Sequence, residues 1–138
     1  MSGFDWQRPC SQLLGRFQPW HAGHTELFCR ALSETGQVAI LIRDVGGIIG
    51  RDAGAGRTNA QLDNPFSAAE AIANIEVGLD EAGFTNGKQY IIMMVPNIVD
   101  ISFGRGVGYT FTEHDLGKTM EDISATKIRA EMRSEGKL

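Results

Sequence analysis

The chain has 138 residues, 42% hydrophobic and 22% charged, with a formal net charge of −4. That length and balance fit one soluble domain spanning residues 1–138 with a real core, and leave no room for two domains of ordinary size. The acidic balance argues against a general nucleic-acid binder, no apolar run nears the roughly 18 residues of a membrane span, and the opening MSGFDWQRPC is no secretory signal; a cytoplasmic protein with no membrane partner is expected.

Ser11 to Leu14 reads as a short first strand. The stretch His24 to Ser33 places Leu27, Phe28, Ala31 and Leu32 on one helical face, as a helix packed on a sheet requires. QVAILI, Gln37 to Ile42, is a buried second strand. Residues 46–61 are glycine-rich, carry Arg51 and Arg57, and lack any periodicity, so they read as a mobile loop.

A second helix opens at Ser67, with Glu70 completing a capping box and Ile72, Ile75, Leu79 and Ala82 marking its inner face before Gly83. Tyr90 to Pro96 is the third strand, Tyr109 to Glu113 alternates weakly as a fourth, and ISATKIRAEMRSEG closes the chain as a helix capped by Ser124 and ended near Gly136. Strand, helix, strand, helix, strand makes an α/β, Rossmann-like, doubly wound domain with a mostly parallel sheet the economical architecture. Cys10 and Cys29 lack metal-type spacing and read as reduced structural thiols.

In such a sheet ligands gather at the carboxyl ends of the strands, and GRFQPWHAGH, Gly15 to His24, lies where the first strand hands over to its helix. Gly15 lets the backbone approach a ligand, Pro19 stiffens the turn, and Gly23 keeps the first helical turn open so that its N–H groups can face an anion. His21 and His24, three apart, point from one side of that turn and can donate to phosphate oxygens. Zinc fits poorly, because no further ligand is near and no HExxH occurs. A lone histidine at a helix start is more often a cap or solvated, and His114 is read so. Trp20 borders the candidate site, whereas Trp6 packs the N-terminal arm.

GRFQPWHAGH resembles the HxGH signature of the nucleotidyltransferase superfamily, and its GRFQP prefix is most similar to archaeal-type nicotinamide mononucleotide adenylyltransferases. ISATKIR, Ile123 to Arg129, resembles the second signature, ISxTxxR; NPFSAAEA and VPNI are similar to the NPFTAGER and VPDI segments of that group. The chain departs at Ala71, where the group has the arginine ending NPFTAGER, at Asn97, where it has the acid of VPDI, and at ISFGRGVGYTF, which is shorter than the group's segment.

The resemblance implies adenylyl transfer from ATP to a small phosphorylated acceptor, nicotinamide mononucleotide first, with release of pyrophosphate. His21, His24 and Arg129 would be the catalytic group, with Gly15, Arg16, Phe17, Gly23, Ile123, Ser124 and Thr126 around the nucleotide and Mg²⁺ bridging phosphate oxygens. Arg43, Asp44 and Arg105 are acceptor-side candidates, although strand-end charges are usually only solvated. The same resemblance implies a homo-oligomer. A cytidylyltransferase using CTP and a nucleotide-binding module without catalysis are the alternatives. GKT at Gly117 to Thr119 lacks the glycine of a P-loop, and no GxGxxG follows the first strand, so neither a P-loop kinase nor a standard dehydrogenase fits.

Overall fold

The computed structural model describes residues 3–45, 64–106, 108–117 and 124–136. Among the described residues six elements follow one another: β1 (Ser11–Gly15), α1 (Ala22–Thr35), β2 (Val38–Arg43), α2 (Ala68–Glu81), β3 (Tyr90–Val95) and α3 (Ala125–Ser134). The strands form one parallel sheet in the order β1-β2-β3, with Gly15 beside Ile42 and Ile42 beside Met94 at its carboxyl edge. The chain is thus α/β with an open parallel sheet, consistent with a Rossmann-like fold.

Period-two alternation decides how β2 is buried: Val38, Ile40 and Ile42 are shut off from water while Ala39, Leu41 and Arg43 are half-buried. The buried set meets Phe28 and Ala31 of α1 and Ala71, Ile75 and Leu79 of α2 in one core. Both crossover helices therefore cover the same face, because strand order advances without reversal; the helices on both faces that a doubly wound sheet implies are not seen among the described residues. Phe28 sets its ring edge-on to Phe84 and Tyr90, 5.0 and 5.7 Å away, closing the core beneath β3.

The helix ends follow their local chemistry. Ser67 Oγ accepts from the Glu70 N–H at 3.2 Å, and the Glu70 carboxylate accepts from the Ser67 N–H at 3.0 Å, so each satisfies a donor the helix cannot. Ser67 is fully buried. Ser67→Ala is expected to destabilise the fold by about 1 kcal/mol, read as a lower urea midpoint; an unchanged midpoint would show the cap to be idle. Ser124 caps α3 by accepting from the Lys127 N–H at 3.1 Å, as its place in ISATKIR suggests.

Two expectations change. The helix read from His24 begins at Ala22 and takes His21 as its N-cap, an unusual residue for that place made workable by the pairing described below. Tyr109 to Glu113 is not a strand: Tyr109 and Phe111 are 63% and 64% exposed, and Phe111 stacks on Phe103 at 5.6 Å instead of joining a ladder. Weak alternation without a buried side had nothing to hold it against the sheet. The glycine-rich stretch 46–61 lies outside the described residues. Among the described residues no helix is long and apolar enough to cross a membrane.

Candidate functional site

The site is built where β1 ends. Beyond Gly15 the chain enters a tight loop in which Phe17 adopts a left-handed backbone, φ 52°, rare for a bulky residue and sustained only by packing. Its ring lies over Gly15, where a Cβ would stand 3.0 Å from it, and meets the His24 ring edge-on at 5.0 Å. A side chain at Gly15 would therefore press on the chain's own aromatic wall. Phe17 is buried and serves as that wall, supporting His24 from behind together with Trp20, 5.2 Å from the His24 ring. Trp20 is itself fixed by donating to Thr25 Oγ1 at 2.8 Å.

His21 and His24 cap one helix reciprocally. The Gly23 N–H donates to His21 Nδ1 at 3.1 Å, and the His21 N–H donates to His24 Nδ1 at 3.1 Å. The rings stack with centroids 3.8 Å apart. An imidazole whose Nδ1 accepts a hydrogen bond carries, when neutral, its proton on Nε2. Both rings therefore present an Nε2–H donor, and neither Nε2 has a partner among the described residues. The Gly23 amide that the sequence offered to an anion is already engaged by His21, which moves the donor role from the backbone to the imidazoles.

Electrostatics keep the rings neutral. Burial lowers the His21 pKa, and burial followed by the charge of His21 brings His24 down to about 3. Between pH 3 and the ordinary histidine value of 6.5 the unfolded chain binds a proton that the folded chain refuses at His24. Stability should therefore rise with pH through that window, be fully present above it, and be lost as pH falls. His24→Asn, whose Oδ1 can still accept from the His21 N–H, is expected to gain less stability than the parent between pH 5 and 7; equal gains in urea midpoint would contradict a His24 kept neutral.

The rest of the loop is fastened from a distance. Gln18, 1% exposed, accepts from the Phe66 N–H at 2.8 Å and donates to the Phe66 carbonyl at 3.1 Å. Arg16 donates to Asn64 Oδ1 at 3.2 Å. Arg129 on α3, 2% exposed, donates to the Gln18 carbonyl at 2.7 Å and to Thr126 Oγ1 at 3.3 Å. The two signature stretches, remote in sequence, thus meet at Gln18. Gln18 and Asn64 were not singled out from the sequence; the similarity of the NPF segment was the signal for Asn64, and the GRFQP prefix was the signal for Gln18.

Other candidates distribute differently. Arg43 sits one residue past the Gly15 level on the neighbouring strand and donates, at 3.5 and 3.4 Å, to Asn97 Oδ1 and the Ile98 carbonyl. The Asp44 N–H extends the ladder to the Val95 carbonyl at 3.0 Å. Both thus stand at the sheet's carboxyl edge, tied to the segment after β3. Arg105 is exposed and touches nothing of the histidine loop among the described residues. Ile123 lies outside them, while Ser124 spends its hydroxyl on the α3 cap. A groove of about 780 Å³ runs between α1 and α2, with Trp20 and His21 at the loop end and Glu26, Cys29, Asn74 and Val77 along the helices; His24, Arg16 and Arg129 do not line it. Among the described residues no three His, Cys, Asp or Glu side chains converge as a metal cage.

Comparison with curated proteins finds archaeal relatives. The chain is similar to the nicotinamide-nucleotide adenylyltransferase of Pyrococcus furiosus, 29% identical over 85 residues covering 62% of this chain and 39% of that protein. It is similar to the enzyme of the same name from Saccharolobus solfataricus, 31% identical over 85 residues covering 62% and 42%, and from Picrophilus torridus, 35% identical over 74 residues covering 54% and 37%. The matched part thus spans about two fifths of these relatives' length. No family model matches.

Proposed function

We propose that this chain is a nucleotidyltransferase that moves an adenylyl group from ATP to a small phosphorylated acceptor, nicotinamide mononucleotide being the acceptor its relatives' names suggest. The observation that carries this reading is the reciprocal capping of His21 and His24. It leaves two neutral Nε2–H donors without a partner among the described residues at the start of α1, which follows the carboxyl end of β1.

An acceptor phosphate oxygen attacks the α-phosphorus, the bond to the bridging oxygen breaks, and pyrophosphate leaves, with no covalent intermediate on the protein. Such a transfer needs fixed donors where negative charge accumulates. His21 and His24 supply donors already oriented by the backbone, so little reorganisation accompanies the reaction. Arg16, on the same loop, adds a positive charge just past the end of β1. Arg43 and Asp44 stand on the acceptor side at the edge of β2. Mg²⁺ would enter as the companion of the triphosphate, where it would neutralise phosphate charge.

The test is pyrophosphate release with Mg²⁺, ATP or CTP, and a panel of acceptors led by nicotinamide mononucleotide and glycerol 3-phosphate. Release with ATP and the mononucleotide is the expected result. Release with CTP alone would make the chain a cytidylyltransferase, and nucleotide binding without release across the panel would make it a binding module.

A further inference from the structure

We infer that Arg43 and Asn97 read the charge at the far end of the acceptor, favouring a carboxylate there over its neutral amide; that the ligand is an acceptor at all rests on the nucleotidyltransferase reading. Arg43 closes β2, the middle strand of the sheet, so its side chain leaves from the centre of the carboxyl edge, where such sheets take their ligands. Alternation fixes its direction. Val38, Ile40 and Ile42 enter the core shared with α1 and α2, so Arg43, like Ala39 and Leu41, stands half-buried on the opposite face.

The partners of Arg43 hold it without neutralising it. One nitrogen, Nη1, donates to Asn97 Oδ1 at 3.5 Å and to the Ile98 carbonyl at 3.4 Å, both long contacts to uncharged oxygens. Among the described residues no carboxylate, that of Asp44 included, pairs with the guanidinium, and its other nitrogens have no acceptor. Such a planar fork of donors matches the two oxygens of a carboxylate side by side. Asn97 stands where the similar VPDI segment carries an acid. A carboxylate at that place would meet the guanidinium across the distance the amide oxygen now spans and would occupy its charge. The asparagine keeps the contact and leaves the charge to a ligand.

Direction narrows which group is read. Both contacts draw the guanidinium toward the segment after β3, whereas His21 and His24 follow β1, on the other side of β2. Arg43 therefore meets a second anion, remote from the phosphate that attacks beside the imidazoles. The acceptor class this fits is a phosphorylated compound with a carboxylate at its opposite end.

Nicotinic acid mononucleotide and nicotinamide mononucleotide differ in one group, carboxylate against carboxamide, and so isolate that charge. The experiment measures kcat/KM for both with ATP and Mg²⁺ in the parent, Arg43→Gln, Arg43→Lys and Asn97→Asp, and the affinity of each mononucleotide for the protein without ATP by calorimetry. The parent should favour the acid by about tenfold or more, the scale of one charge-assisted pair. Arg43→Gln should bring the ratio near one, with the loss in KM for the acid rather than in kcat, and Arg43→Lys should restore part of it. Asn97→Asp, an isosteric change at an exposed position, should also bring the ratio near one by engaging the guanidinium. If the Arg43 variants fail to fold, Asn97→Asp decides alone. A parent that prefers the amide, or variants that lower both acceptors equally, overturn the inference. Release with no acceptor of the panel refutes the proposed function; calorimetry then judges the site, and an acid bound no tighter than the amide, or no binding of either, overturns it.

Discussion

His24→Ala is expected to lower pyrophosphate release by about 10²–10³-fold, the usual effect of deleting one donor aimed at developing charge. The alanine also removes the acceptor for the His21 N–H and a ring packed against Phe17, Trp20 and His21, so part of its effect is structural. His24→Asn separates the two. Its Oδ1 can stand where Nδ1 accepts, while nothing replaces Nε2–H. The asparagine variant should therefore recover thermal stability toward the parent, by circular dichroism, without recovering turnover. Near-normal turnover in the asparagine variant would remove the imidazole Nε2–H from the chemistry.

The second large effect concerns Ala71. Its counterpart in the similar NPF segment is an arginine, and the simplest repair of a missing cation is to put it back. Geometry opposes this: Ala71 is 0% exposed and packed in the core with Ile75 and Leu79. An arginine there must bury a guanidinium among apolar side chains or force α2 off the sheet, and an unpaired buried charge costs several kcal/mol. Against a typical total of about 5–15 kcal/mol, Ala71→Arg should yield little folded protein, seen as loss of a cooperative thermal transition. A stable variant with raised adenylyl transfer would mean that the first turn of α2 can rotate this position toward the ligand edge.

Much of the frame was legible because its signals are local. The three strands, the Ser67 capping box and the Ser124 cap each follow from residues within a few positions of one another. The histidine spacing marked the right loop for the same reason. What sequence reading could not supply was direction: spacing puts His21 and His24 side by side, but only the hydrogen bonds show both Nδ1 atoms turned inward. The roles of Gln18, Asn64 and Arg129 depend on partners 48 or 111 positions away, which no local pattern encodes. The false fourth strand failed in the opposite sense, since a local alternation existed with no tertiary surface to use it.

Those sequence separations bear on when the loop takes shape as the chain folds. The sheet grows through successive crossovers, with Ser11 aligned on Val38 and Val38 on Tyr90, so its contacts close over modest stretches of chain. The bond from Arg129 to Gln18 closes across 111 positions and needs α3, the last of the six elements described. Loop closure of that span comes late, after the strands and their two covering helices have assembled. Collapse and competence are thus separate events, and a nascent chain halted before α3 would carry a formed sheet with its histidine loop still unlatched.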